Sequence, residues 1–339
     1  MDNTANERQK RRLERLNDEG IRKYSLLVHH LCLPAFQQLS LYFRDPNAAE
    51  VLIKTAETFL AAKPINVSQV KQISPFRYPG GKTWLVPEAR AWLRHLEHRP
   101  SIFIEPFAGG AITSLTVAAE HLADHVIFAE IDEDVAAVWK VILGSSSPDF
   151  NWLCERILSL EVSLRNVRQI IDTVPRYLRC RALRTIVMNR TQRGGILAPG
   201  AGLVKTGENN KGLASRWYPQ TLVTRMKLIR QMRPRITFSR RDAFDLIAEY
   251  VDRPDVAFFI DPPYTAGGKR AGSRLYRHWF IDHAHLFDLM SQVRGNYLMT
   301  YDATEEVRRL AGENGMSVRP IPMKNTHHAV MHELLISRA

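Results

Sequence analysis

Val256-Ala257-Phe258-Phe259-Ile260-Asp261-Pro262-Pro263-Tyr264 is the stretch whose reading decides the fold. An apolar run with two aromatics and β-branched residues predicts a buried strand. It stops at a carboxylate followed by two prolines, and neither proline can donate to a ladder. In an open α/β sheet, ligands sit outside the carboxyl ends of the strands. Asp261 and Tyr264 are therefore expected where a ligand would lie. The plainer reading is a strand-ending turn with a helix-capping Asp.

Two further strand ends support the first reading. Ile102-Phe103-Ile104-Glu105-Pro106-Phe107-Ala108-Gly109-Gly110-Ala111 predicts a short strand, a glycine turn and a helix to about Leu122. Small residues there let the backbone approach a ligand, but the pattern is not G-x-G-x-x-G, so no pyrophosphate is implied. A second strand, Val126 to Ala129, ends at Glu130-Ile131-Asp132. An acidic residue about 20 positions past the glycines is placed to accept from ribose hydroxyls. Glu130 fits that role best and Asp132 is the fallback; alternatively Asp132, Glu133 and Asp134 simply put negative charge in a helix's first turn. A strand Ile236-Thr237-Phe238 leads to Asp242, either near a cofactor's adenine or at a surface turn.

Before these units lies Phe76-Arg77-Tyr78-Pro79-Gly80-Gly81-Lys82-Thr83. A phosphate loop would need a glycine at position 76, which is Phe, so an NTPase is rejected. The glycines still allow close backbone approach, and Lys82 can meet a carboxylate. A helix is expected from about Val86 to Leu96.

The βα rhythm breaks from about Gly144 to Pro234. Arg-rich helices there carry Arg165, Arg168, Arg176, Arg179, Arg181, Arg184, Arg190 and Arg193. A glycine-rich stretch from Gly194 to Gly212 holds Lys205 and Lys211, and Arg216-Trp217-Tyr218-Pro219 opens another basic helix. Such an insertion suits a groove reader, because Arg forks match guanine and phosphate. The competing reading is a solvated helical face. Residues 265–277 alternate Gly267, Gly268 and Gly272 with Lys269, Arg270, Arg274 and Arg277, as a lid on a phosphate backbone would.

Composition fits this direction. Lys+Arg of 47 against Asp+Glu of 35 gives a net charge of +12, which suits a polyanion partner. No apolar run reaches spanning length and no signal peptide opens the chain. Cys32, Cys154 and Cys180 show neither metal spacing nor a disulfide framework, which points to a reducing cytoplasm. His327, His328 and His332 lack the order of a zinc site, so no metal is expected. The first 70 or so residues predict helices, read as an appendage rather than a DNA-contacting arm. The chain's end predicts a helix near His283 to Val293, a strand Tyr297 to Tyr301, a helix Thr304 to Gly312 and a closing strand pair.

Taken in order, Arg77-Tyr78-Pro79-Gly80-Gly81-Lys82, Glu105-Pro106-Phe107-Ala108-Gly109-Gly110, Glu130, the Arg-rich insertion and Asp261-Pro262-Pro263-Tyr264 resemble the Dam-like alpha group of DNA adenine methyltransferases. Asn189-Arg190-Thr191 and His332-Glu333-Leu334-Leu335 share in the likeness, which runs from about residue 74 onward. The resemblance implies an α/β, Rossmann-like methyltransferase fold using S-adenosylmethionine. The catalytic domain would be 71–144 with 235–339, the target-recognition insertion 145–234, and the helical extension 1–70.

By the same resemblance, Tyr78, Gly80, Gly81 and Lys82 border the cofactor's methionine end. Glu105, Phe107, Gly109 and Gly110 line its pocket, Glu130 holds the ribose, and Asp242 lies near the adenine. Asp261, Pro262, Pro263 and Tyr264 would do the chemistry on a base flipped out of its duplex. Arg184, Arg190, Arg193, Lys205, Lys211, Arg216, Lys269, Arg270 and Arg274 are the expected DNA contacts. Where the family has a second turn glycine this chain has Ala111, and the family's Asn-Gly-rich segment is replaced by Gln192 to Gly200. Cytosine-amino or RNA methylation, and a catalytically silent DNA-binding protein on the same fold, are the alternatives. The expected partner is double-stranded DNA, with no metal and no membrane; the sequence leaves the oligomeric state open, a monomer being favoured.

Overall fold

A computed structural model describes residues 70–77, 81–263, 277–324 and 330–338, all within one compact unit, Pro64–Ala339. The expected helical extension, together with Tyr78, Gly80, Tyr264, Lys269, Arg270, Arg274, His327 and His328, lies outside the described residues.

Seven strands form one sheet in the order β3-β2-β1-β4-β5-β7-β6. They are β1 (Ile102–Glu105), β2 (His125–Ala129), β3 (Ile236–Ser239), β4 (Val256–Ile260), β5 (Asn296–Asp302), β6 (Met316–Lys324) and β7 (Val330–Arg338). β1 pairs in parallel with β2 and β4, β2 with β3, and β4 with β5. β7 is antiparallel to both β5 and β6. The chain winds outward one way through β1, β2 and β3, and the other way through β4 and β5. The order therefore reverses between β1 and β4, the point where open α/β sheets bind ligands. This is the expected α/β, Rossmann-like architecture, with an antiparallel pair added at one edge.

The β4 run is apolar throughout because both its faces are covered. Ala257 and Phe259 join one core cluster, while Val256, Phe258 and Ile260 join the other. β1 divides its residues in the same way, Phe103 to one side and Ile104 to the other. Helices α1 (Val86–His95), α2 (Ile112–Glu120) and α3 (Glu133–Leu143) pack on the first face, through residues such as Leu93, Leu115 and Trp139. The second face carries α8 (Ala243–Glu249), α9 (His283–Gln292) and α10 (Glu305–Glu313), through Leu246, Phe287 and Leu310.

Between α3 and β3 the chain forms α4 (Ser147–Ser159), α5 (Leu164–Asp172), α6 (Leu178–Thr191) and α7 (Pro219–Met232). Short 3-10 turns join α6 to α7, with Gly194, Gly195, Gly200, Gly207 and Gly212 at positive φ. Phe150, Leu153, Ile186 and Met226 bury into the same cluster as the first face of the sheet. Several arginines of this region are consumed by packing. Arg230 stacks 4.5 Å over Phe150 and donates to the Ile142 and Gly144 carbonyls at 2.9 and 3.1 Å. Arg181 pairs with Glu133 at 2.6 Å and Asp134 at 3.1 Å.

Candidate active site

The carboxyl ends of the central strands open into a cavity of about 1330 Å³. Glu105 ends β1, Glu130 follows β2, Asp242 follows β3 and Asp261 follows β4; all four line it. Gly81, Lys82, Phe107, Gly109, Gly110 and Asp132 line it too. The structure thus brings every described residue of the expected cofactor set to one cavity.

Asp261 is held from two sides. Thr300 of β5 donates its hydroxyl to Asp261 Oδ1 at 2.8 Å, and Lys82 Nζ lies 3.3 Å from the same oxygen. Lys82 is 5% exposed and also lies 3.3 Å from Glu333 Oε2 on β7. Burial works against the Lys82 charge, but the Asp261 and Glu333 carboxylates outweigh it and raise its pKa. Burial pushes Glu333 up to about 7 even though Lys82 pulls the other way. Lys82 sits on the 3-10 turn Lys82–Leu85 leading into α1, so the cation is delivered by a short, buried segment.

The glycine turn after β1 is pinned by side chains rather than by its own sequence. Trp139 Nε1 donates to the Gly109 carbonyl at 3.0 Å, and Ser74 Oγ donates to the Gly110 carbonyl at 2.6 Å. Glu130 accepts the Gly109 N–H at 3.0 Å on one oxygen and the Asp132 N–H at 2.8 Å on the other. Ala111 takes φ 50°, where a Cβ costs about 1–2 kcal/mol. A glycine would sit there without that cost, which gives the departure at this position its physical meaning. Glu105 Oε2 accepts from the Ser114 N–H at 2.8 Å in the first turn of α2. Burial raises Glu105 to about 8 and Glu130 to about 7.

Asp132 and Asp242 do what helix caps do. Asp132 Oδ1 accepts from Asp134 and Val135 N–H at 2.8 and 3.2 Å, and Asp242 Oδ1 from Phe244 N–H at 2.8 Å. Both still face the cavity. Arg277 reaches across to this corner, with its Nη2 2.9 Å from Asp134 Oδ2 and its Nε 3.8 Å from Asp132 Oδ2.

The expected DNA contacts divide. Arg193, Lys205 and Lys211 are exposed. Arg216 is partly buried and pairs with Glu208 at 3.1 Å. Arg184 turns inward, donating to the Ile171 carbonyl at 2.8 Å and lying 3.9 Å from Asp134. Arg190 is 5% exposed and donates to the Pro75 carbonyl, on the wall of the cavity rather than on the outer surface.

Sequence reasoning did not assign roles to Thr300, Glu333, Asn189 or Trp139. Asn189 joins the segment before Lys82 to the turn after α6: it accepts from Arg77 N–H at 2.9 Å and donates to the Gly195 carbonyl at 2.9 Å. The sequence signal for Asn189 and Glu333 was confined to the motifs containing them.

A family model described as D12 class N6 adenine-specific DNA methyltransferase matches residues 78–319. The chain belongs to this family. It is a methyltransferase, and its cofactor is S-adenosylmethionine. No curated protein matches the chain. Among solved structures, the rRNA methyltransferase aviRa of Streptomyces viridochromogenes is 14% identical at TM-score 0.38, covering 82% of this chain and 94% of its own. The magnesium protoporphyrin IX methyltransferase of Synechocystis PCC 6803 is 12% identical at TM-score 0.30, covering 75% and 78%.

The cavity of this methyltransferase suits its cofactor's charge. Carboxyl groups of Glu105, Glu130 and Asp261 face it from neighbouring strand ends, while Lys82 is engaged by Asp261 and by Glu333. A ligand carrying a sulfonium and an ammonium would relieve this excess of buried acid. Among the described residues no cluster of potential metal ligands is found, and no helix is long and apolar enough to cross a membrane.

Proposed function

We propose that the chain methylates the exocyclic N6 amino group of adenine in double-stranded DNA. The observation that carries this reading is Asp261, fixed at the switch-point end of β4 by Lys82 and Thr300 and followed by Pro262 and Pro263 on the cavity wall. Adenine's amino nitrogen is a poor nucleophile because its lone pair is delocalised into the ring. The Asp261 carboxylate and the Pro262 carbonyl each accept one of its N–H bonds, which draws the nitrogen toward tetrahedral geometry. When bound, S-adenosylmethionine would supply an electrophilic methyl group and leave as the neutral thioether as its S–CH3 bond breaks, and the nitrogen would shed its surplus proton along the hydrogen bond to Asp261. Lys82 and Thr300 fix the orientation of Asp261, so the acceptors are in place before the base arrives. Positioning of the two reactants provides the rest.

Glu130 holds the cofactor's ribose in this reading, Asp242 faces its adenine, and Lys82 with Gly81 lies at the methionine end. Segment 145–234 serves as the target-recognition region, with Arg193, Lys205 and Lys211 as its exposed basic residues. The base must leave its stack to reach Asp261, since a duplex base is otherwise inaccessible. Tyr264, outside the described residues, remains the proposed stacking face. Incubating duplex DNA with methyl-labelled cofactor and digesting it to nucleosides tests the reading. Label in N6-methyl-2′-deoxyadenosine supports it; label in a methylated deoxycytidine, or transfer to RNA alone, overturns it.

A further inference from the structure

The cavity is polarised. Its floor, at the strand ends, is acidic, but the wall formed by the segment before Lys82 and by α6 and α7 is basic. Arg77, Arg190 and Arg225 all line that wall. Arg190 donates to the Pro75 carbonyl and Arg225 Nη1 to the adjacent Ser74 carbonyl at 3.0 Å, so their guanidinium groups are held side by side. No carboxylate pairs with either among the described residues; the nearby acid, Glu208, is taken by Arg77 at 3.4 Å and Arg216 at 3.1 Å.

Burial and the neighbouring Arg225, Arg77 and Arg216 charges bring Arg190 down to about 10. Among the described residues, Arg190 Nε and Arg216 Nη1 are buried with no hydrogen-bond partner. Clustered like charges with unmet donors are costly unless an anion joins them. The wall is held tightly to this geometry: at Gly195, φ is 74° and a Cβ would stand 2.3 Å from the Arg77 carbonyl, so the turn after α6 packs directly on the Arg77 backbone. Half-exposed Tyr218 lines the same cavity.

We propose that Arg77, Arg190 and Arg225 form a phosphodiester-binding site on the cavity wall, gripping the DNA backbone beside the nucleotide that enters. The proposal rests on the DNA reading above and adds a location: the backbone is held inside the catalytic cavity as well as on the outer surface. Planar guanidinium forks suit phosphate oxygens bidentately. The cofactor's carboxylate is the other anion that could reach an arginine, but the net-cationic cofactor is drawn to the acidic floor.

The test uses full-length protein, a fluorescent DNA duplex and a salt series. For Arg225→Gln, the slope of log affinity against log salt should become shallower by about 0.9, the value for one lost phosphate. Affinity at fixed salt should fall about tenfold, with S-adenosylmethionine affinity by calorimetry unchanged. Exposed Arg77→Gln, whose folding is not in question, should show the same change in slope. Unchanged slopes in both variants, with wild type binding and methylating DNA normally, would overturn this site alone. Weakened cofactor binding with unaltered DNA slopes would hand the site to the cofactor's carboxylate and overturn the phosphate assignment. Wild-type protein without salt-dependent DNA binding would overturn the DNA reading itself.

Discussion

Asp261 and Glu333 reach the same buried ammonium, Lys82 Nζ, each at 3.3 Å. One carboxylate follows the central strand β4 and the other lies on antiparallel β7, so Lys82 ties the end of β4 to the sheet's added edge pair.

Lys82→Met removes the cation from between two carboxylates. Breaking a buried ion pair by deleting one partner costs roughly 3–5 kcal/mol. Part of that cost should return in the double variant Lys82→Met with Glu333→Gln, because one of the stranded acids is neutralised. Chemical denaturation of the single and double variants measures the coupling; strictly additive losses would mean that the triad is not an energetic unit.

Glu105 and Glu130 give a pH dependence with a definite sign. Burial raises them from 4.5 to about 8 and about 7. The folded state then binds more protons than the unfolded chain between about 4.5 and 8, so their contribution makes the cofactor-free protein less stable as pH rises through that window. A cationic cofactor favours the ionised carboxylates. Its binding should release protons near neutral pH, and its affinity should rise from pH 6 to 8. Calorimetry in buffers of different ionisation enthalpy reads the protons directly. Proton uptake, or affinity that falls with pH, would contradict the acidic-floor account.

Glu130→Ala should weaken S-adenosylmethionine binding about ten- to a hundredfold, the worth of a hydrogen bond to a charged group. DNA affinity should change little, because Glu130 lies at the strand-end floor of the cavity and not on its arginine wall. A variant with unaltered cofactor affinity would leave Glu130 as a strap for the Gly109 turn and nothing more.

Much of this was readable from residues alone, for local reasons. The β4 run ends at Asp261 because two prolines follow it, and prolines terminate strands in any context. The glycine turn and Glu130 were readable because small residues and an acid at that separation belong to one βα unit. Thr300 and Glu333 were not, since they reach Asp261 and Lys82 only through the pairing of β4 with β5 and of β5 with β7, where Asp302 faces Glu333. The arginines of the insertion were the hardest to apportion. An Arg in a basic run reads the same whether it ends exposed, as Arg193 does, pinned to a carbonyl, as Arg184 is, or buried on a cavity wall, as Arg190 is. Asp132 shows the reverse: an acid in a helix's first turn is a cap by its local chemistry, and the structure makes it one.

The central claim is that Asp261 carries methyl transfer to the adenine amino group. Single-turnover methylation of duplex DNA by wild type and Asp261→Ala, at saturating S-adenosylmethionine and with N6-methyladenine quantified by mass spectrometry, tests it most directly. The account predicts N6-methyladenine from wild type and no detectable product from a folded variant that still binds the cofactor. Near-normal N6-methyladenine formation by that folded variant would contradict it.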